Sequence, residues 1–175
     1  QYGEWFALHN EHRIFLSRLL FFIDIRFFNN TSYFLVANNL FFLSIAAIIF
    51  ISFLKKNFLF EQYSTVYFLI ICLLFSWIQE NNLIIGFQTA FVLAQLIPLV
   101  SFYYFYKSIN ETNRRTIFFL LSILFGFLSS YTLISGIFVL PLLVFLCIFA
   151  RLEKKYLICL IIISIISLIT YFYSY

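Results

Sequence analysis

Apolar residues fill most of the chain in long runs, and short polar stretches separate one run from the next. A membrane-spanning helix needs about 20 consecutive apolar residues, whereas shorter runs are typical of tilted, re-entrant or buried segments. The pattern predicts apolar helices at 33–54, 64–77, 83–106, 116–128, 136–150 and 156–173. The run at 64–77 is short for a span, so we expect an all-α, polytopic transmembrane helix bundle of about five spans.

The N-terminal segment 5–28 differs from these runs because ionisable residues are mixed with apolar ones at helical spacing. It contains both histidines and three of the six arginines of the chain. The polar residues 29–32 then break the pattern, since short polar side chains compete for backbone hydrogen bonds. We therefore predict a loop followed by an N-terminal interfacial helix that lies at the membrane surface or dips into it.

The composition supports a membrane protein. Hydrophobic residues make up 64% of the 175 residues and charged residues 10%, and the mean hydropathy is +1.02. A soluble domain of this length has too small a core to bury so much apolar surface. No domain boundary is evident, so we expect 1–175 to form a single transmembrane domain. The chain begins at Gln1 without a signal peptide, and we expect it to be a fragment of a longer membrane protein.

Basic residues are concentrated in the loops on one side of the predicted spans, against Glu61, Glu111 and Glu153. They are Lys55, Lys56, Lys107, Arg114, Arg115, Arg151, Lys154 and Lys155. An excess of Lys and Arg marks the cytoplasmic side, so the N-terminal segment and Glu80 are predicted to be extracytoplasmic. The net charge of +4 thus orients the chain and does not indicate nucleic-acid binding.

Ionisable side chains are rare inside a membrane, where they face a water-filled cavity or a partner, so the N-terminal cluster is a candidate functional site. Glu11 is the candidate general base or acid, and the neighbouring cations suit an anionic group, because Arg recognises phosphate through a bidentate fork. The alternative is that these side chains snorkel to the interface and pair with each other. The candidate substrate-binding residues of this segment are His9, His12, Arg13, Arg18 and Asp24.

Helical geometry divides these candidates into two groups. At about 100° per residue, one broad face of a helix over 11–26 holds Glu11, Arg18 and Arg26. Another face holds Arg13, Ser17 and Asp24. Two polar faces on one helix are not typical of simple exposure to lipid.

A second polar patch surrounds Glu80 on the same predicted side of the membrane, and Gln88 follows it on the next helix. Both residues are candidates for substrate binding. The alternative is that such polar residues form hydrogen bonds between helices, as we expect for Asn38 and Asn39.

The sequence indicates no protein metal site. Cys72, Cys147 and Cys159 lie in apolar runs without a C-x-x-C spacing, which favours a packing role. His9 and His12 stand three residues apart, but the chain has no third histidine and no H-E-x-x-H motif. No cofactor is predicted. Binding of a divalent cation by carboxylates together with a substrate phosphate is an alternative that the sequence leaves open.

Three stretches resemble a known family. They resemble blocks of bacterial multi-spanning glycosyltransferases with a GT-C-like membrane fold. The stretches are H-N-E-H-R-I through R-L-L-F-F-I-D at 9–24, E-N-N-L-I-I-G-F-Q-T-A-F at 80–91 and S-S-Y-T-L-I-S-G-I-F-V-L-P at 129–141. The resemblance implies transfer of a sugar from a polyprenyl-phosphate carrier outside the cytoplasmic membrane. It further implies that an acid in the first extracytoplasmic loop acts as base while basic neighbours bind the lipid phosphate. Glu11 matches that acid, although it stands in E-H-R where better-known members carry Asp-containing pairs.

The resulting expectation is a multi-pass glycosyltransferase of the bacterial cytoplasmic membrane, with its site at the outer face. Its partners would be a lipid-linked sugar and membrane lipid, with no nucleic acid. The alternative is part of a transporter or flippase that binds a lipid-linked anion without chemistry. The sugar-transfer function requires polar groups of the N-terminal segment and of the 79–82 bend to meet in one pocket at the outer leaflet.

Overall fold

The computed structural model describes residues 14–57, 60–76 and 80–173. All regular structure within these ranges is helical, which confirms the predicted all-α class. The α-helices are α1 (Phe15–Phe27), α2 (Tyr33–Asn57), α3 (Phe60–Leu74), α4 (Glu80–Ile84), α5 (Thr89–Asn110), α6 (Arg115–Ser129), α7 (Val139–Phe149) and α8 (Lys154–Phe172). Short 3-10 turns lie at Gly86–Gln88, Thr112–Arg114 and Ile134–Phe138.

Three helical stretches of the described chain are long and apolar enough to cross a membrane: Tyr33–Lys55, Gly86–Asn110 and Lys154–Phe172. Shorter apolar helices lie at Ser64–Leu74 and Ile134–Phe149. These features are consistent with a membrane protein. The larger number of about five spans stays a prediction, because the remaining helices fall short of the length that crosses a bilayer.

The structure differs from the predicted boundaries at two places. The helix expected over 83–106 is interrupted, because α4 ends at Ile84 and a 3-10 turn precedes α5. The helix expected over 136–150 likewise begins as the 3-10 turn Ile134–Phe138. Both interruptions contain a glycine that packs closely against a neighbouring helix. The predicted N-terminal helix is present as α1, and its depth in a membrane stays a prediction.

The helices form two compact units. One unit holds Ser17–Leu96, which includes most of α1 and all of α2, α3 and α4. The other holds the chain from Ile97 onward together with the described residues before Ser17. The change from one unit to the other falls within α5, next to Pro98.

The unit that begins at Ile97 has a core in which α6, α7 and α8 pack together. Leu143 and Leu160 are fully buried at its centre. Small residues allow close packing: a Cβ added at Gly136 would overlap the main-chain carbonyl of Ser129, so only glycine fits there. Membrane helices often pack through such small residues, because side-chain bulk no longer keeps the backbones apart.

Hydrogen bonds between hydroxyls and carbonyls reinforce this packing. Ser129 Oγ donates to the carbonyl of Gly136 at 2.8 Å and fixes the 3-10 turn against the end of α6. Ser130 and Ser167 share a hydrogen bond of 2.8 Å between their hydroxyls. The polar residues of the 129–132 turn are therefore satisfied within the fold, which gives them a structural role.

Candidate functional site

The exposure of α1 is inverted relative to a helix at the surface of a water-soluble protein. Its polar residues Ser17 and Asp24 are buried, with exposed fractions of 0% and 1%. Its exposed residues are mainly apolar: Leu19, Phe22, Ile25 and Phe27. A helix that contacts lipid has this arrangement, because hydrocarbon accepts apolar side chains and polar ones find partners inside the protein.

The backbone around Asp24 ends α1 and reverses the chain. Asn29, Asn30 and Ser32 have φ angles of 54°, 57° and 62°, in the left-handed region that asparagine tolerates better than most residues. The amides of Phe28 and Asn30 both donate to the carbonyl of Asp24, at 2.9 and 3.2 Å. This geometry places the carboxyl group of Asp24 beside the start of α2.

The two carboxyl oxygens of Asp24 have different environments. Oδ2 accepts a hydrogen bond from the amide of Ser32 at 3.2 Å. Oδ1 is buried and has no hydrogen-bond partner among the described residues. A buried polar atom without a partner loses about 1–3 kcal/mol relative to one that is hydrogen-bonded, so such atoms are uncommon and mark strained or functional positions.

The hydroxyl of Ser17 is in the same situation. It is buried on the same face of α1, and the part of the chain that the structure covers provides no hydrogen-bond partner for it. Seven residues separate Ser17 from Asp24, which corresponds to about 10 Å along the helix axis. On one face of α1, two buried polar groups thus have no hydrogen-bond partner among the described residues, and both suit a ligand that bears hydroxyl groups.

The segment around Gly86 packs against this site. A Cβ added at Gly86 would lie 2.9 Å from Leu35 Cδ1 and 3.2 Å from Ser32 Cβ. The rings of Phe21 and Phe87 are stacked with centroids 5.9 Å apart. The turn after α1, the start of α2 and the 3-10 turn before α5 therefore meet. The predicted meeting of the N-terminal polar cluster with the 79–82 bend stays a prediction.

Buried polar side chains line the contact between α2 and this segment. Asn39 is fully buried, and its Nδ2 lies 3.5 Å from the carbonyl of Leu83. Thr89 is also fully buried and donates to the carbonyl of Gly86 at 2.7 Å, which closes the 3-10 turn. Asn39 fulfils the expected role of a hydrogen bond between helices, whereas Asn38 bonds to the carbonyl of Phe34 in its own helix at 2.8 Å.

The other predicted site residues are placed as follows. Glu80 is the first residue of α4 and Gln88 the last residue of the following 3-10 turn, and both are half-buried. Arg18 is half-buried on α1. The remaining candidates, His9, Glu11, His12 and Arg13, lie outside the described residues.

Two contributors to this site were not singled out as candidates. Ser17 was placed on the Asp24 face by helical spacing, but its burial was not predictable because periodicity does not say which face is covered. Thr89 lay within an apolar run with no sign of its role. Within the described chain, no group of three or more His, Cys, Asp or Glu side chains is arranged to hold a metal ion.

Comparisons with known proteins identify no relative. No protein-family model, curated protein or solved structure matches this chain. The resemblance to membrane glycosyltransferases therefore stays a prediction.

Proposed function

We propose that this chain acts as a membrane glycosyltransferase that moves a sugar from a polyprenyl-phosphate carrier to an acceptor outside the cytoplasmic membrane. The observation that carries the proposal is Asp24, which is 1% exposed and has one carboxyl oxygen without a partner in the described chain. A sugar hydroxyl is a hydrogen-bond donor that suits this oxygen. The buried hydroxyl of Ser17 offers a second contact on the same face.

The proposed chemistry divides between two carboxyl groups. Glu11 deprotonates the acceptor hydroxyl, while His12, Arg13 and Arg18 bind the lipid phosphate and stabilise its charge as it departs. Positioned charges of this kind are worth several kcal/mol in a site that excludes water. Asp24 orients the sugar through its free oxygen and takes no proton from the acceptor.

The packing around Asp24 supports a preorganised site. The amide of Ser32 fixes Oδ2, and the close fit of Gly86 against Leu35 holds the neighbouring segment in place. A carboxylate fixed in this way needs little reorganisation when a ligand binds. Glu80 and Gln88 lie on the segment that flanks this packing, and we propose that they bind polar groups of the substrate.

The membrane setting fits a lipid-linked donor. α1 exposes apolar side chains beside its buried polar face, and three stretches are long enough to span a bilayer. A polyprenyl chain reaches a site that opens towards lipid without leaving the hydrocarbon, so its phosphate and sugar alone enter the polar region. No soluble donor is required by this arrangement.

One observation favours a second function, a transporter or flippase that moves a lipid-linked anion. The helical stretch is interrupted between Ile84 and Thr89, and discontinuous helices with a glycine at the break are typical of substrate sites in transporters. In that case Asp24 would bind the cargo and no bond would be made or broken.

Glu11→Gln in the full-length protein separates the two functions. The protein is reconstituted in lipid vesicles with a polyprenyl-phosphate sugar, and both sugar transfer and binding of the carrier are measured. The enzyme hypothesis predicts that transfer is lost while binding is retained, and that the matched variant Glu4→Gln keeps both. Carrier movement across the bilayer without any transfer by the wild-type protein would establish the transporter instead.

A further inference from the structure

A groove runs along one face of α8, in the unit that begins at Ile97. Its lining consists of Lys155, Ile158, Cys159, Ile162 and Ile163, and it encloses about 410 Å³. The spacing of these residues by three and four positions places them on one side of the helix. Four of the five are apolar, so the groove is a shallow, open apolar surface with a single cation at one end.

The position of the groove suits an acyl chain. α8 is one of the three helices long and apolar enough to cross a membrane. From Lys155 to Ile163 the helix rises about 12 Å, which takes the groove from the polar end of the helix into the apolar part. Ile158 and Ile162 are exposed, and exposed apolar side chains on a helix of this length suit contact with an acyl chain.

The charges at the polar end favour an anion. Lys155 Nζ lies 2.8 Å from Glu153 Oε2, and Arg115 Nη1 lies 3.7 Å from Glu153 Oε1. Two cations therefore share one carboxylate, which leaves a positive charge beside the groove.

We infer that this groove is a binding site for an anionic phospholipid. The phosphate group pairs with Lys155, and one acyl chain lies along Ile158 and Ile162. A zwitterionic lipid has the same acyl chains but no net charge to complement the cations, so the charge distribution selects the anionic lipid. The inference does not depend on the proposed transferase activity, because the residues of this groove take no part in it.

Cys159 provides a direct readout, because it lines the groove and is half-buried. Cys147 is buried, and Cys72 is exposed. In a Cys72→Ser background, N-ethylmaleimide labelling of the purified full-length protein therefore reports on Cys159. The rate is measured in a neutral detergent after removal of bound lipid, with added phosphatidylglycerol or phosphatidylcholine.

We expect phosphatidylglycerol to slow the labelling of Cys159 and phosphatidylcholine to have little effect. Lys155→Gln should raise the phosphatidylglycerol concentration for half-protection by about fivefold, the factor typical of one Lys–phosphate pair at a membrane surface. The matched control Lys154→Gln, whose residue does not line the groove, should change it by less than about twofold.

A second variant tests occupancy of the groove itself. Ile162→Trp fills the groove, and native mass spectrometry should then find less retained phosphatidylglycerol than in the wild-type protein. Equal protection by both lipids, or equal effects of the two lysine substitutions, would overturn the inference. Protection that grows with protein concentration in the absence of lipid would overturn it in favour of a second copy of this chain.

Discussion

Asp24 and Ser32 are joined across the turn between α1 and α2, where the Ser32 amide donates to Asp24 Oδ2 at 3.2 Å. Ser32 adopts a φ of 62°, and Asn29 and Asn30 are also left-handed, so this turn contains several residues in a sparsely populated conformation. One carboxyl oxygen thus supports the fold, while the other is buried without a partner in the described chain. A substitution that keeps the acceptor for the Ser32 amide but removes the second oxygen separates the structural role of Asp24 from its proposed role in binding.

Asp24→Asn should be tolerated by the fold, and Asp24→Ala should not. Asparagine keeps an oxygen that accepts the bond from Ser32, whereas alanine leaves the Ser32 amide without an acceptor. We expect alanine to lower the free energy of unfolding by about 1–3 kcal/mol relative to asparagine. Thermal unfolding of both purified variants in detergent measures the difference. Equal stability of the two variants would show that the bond to Ser32 does not support the turn.

Gly136→Ala should strongly destabilise the unit that contains α6 and α7. The added Cβ would overlap the main-chain carbonyl of Ser129. Main-chain atoms cannot move aside by a side-chain rotation, so the clash cannot be relieved in that way. We expect a loss of about 3 kcal/mol or more in the free energy of unfolding.

Gly126→Ala is the matched control. Its Cβ would lie 2.8 Å from Leu140 Cδ2 and 3.2 Å from Ser101 Oγ, and both atoms belong to side chains that can shift. A smaller loss of about 1 kcal/mol is expected. If the two alanine variants unfold with the same midpoint, the close approach of Gly136 to Ser129 is not a determinant of stability.

The hydrogen bond between Ser130 and Ser167 should contribute modestly to stability. A double-mutant cycle with Ser130→Ala, Ser167→Ala and the double variant isolates the pairwise term. Hydrogen bonds between membrane helices are typically worth about 0.6 kcal/mol, so we expect a coupling energy of that size. Additive effects of the two substitutions would contradict the shared bond.

The ion pair of Glu153 should make a small contribution to stability that is sensitive to acid. The hydrogen bond and charge of Lys155, together with the charge of Arg115, lower the pKa of the Glu153 carboxyl from its ordinary value of 4.5. Since the folded pKa is the lower one, the ionised carboxyl stabilises the fold above pH 4.5 and loses this effect as the pH falls through the folded value. The side chains of Glu153 and Lys155 are largely exposed, so salt should screen the contribution.

Glu153→Gln removes this contribution. Between about pH 7 and about pH 3, the melting temperature of the variant should therefore fall less than that of the wild-type protein. This difference between the two proteins should be smaller in high salt. Glu111→Gln serves as the control, because Glu111 forms no ion pair within the described part of the chain. Parallel pH profiles for the wild type and Glu153→Gln would contradict the expectation.

The sequence indicated the helical class and most helix positions because apolar runs in a membrane protein are long and polar breaks are abrupt. It did not indicate the break before α5, because Leu83, Ile84 and Ile85 continue the apolar run up to Gly86. The break depends on the close packing of Gly86 against Leu35, which is a tertiary contact.

The candidate site was predictable in part. Helical spacing placed Ser17 and Asp24 on one face of α1, and the structure buries both. Which face of α1 is covered depends on tertiary packing, so it does not follow from the spacing. The hydrogen bond between Ser130 and Ser167 was not predictable from the sequence either. Isolated small residues within apolar runs do not indicate which helix they contact.

Sugar transfer by Asp24→Asn tests the central claim most directly. In this proposal the free oxygen of Asp24 accepts a hydrogen bond from a substrate hydroxyl. Asparagine keeps one oxygen to accept the bond from the Ser32 amide but puts an NH2 donor in the place of the free acceptor oxygen. We expect kcat/KM for transfer from the polyprenyl-phosphate sugar to fall by about tenfold to a hundredfold, with the melting temperature near that of the wild type. Transfer at the wild-type rate by this folded variant would contradict the account.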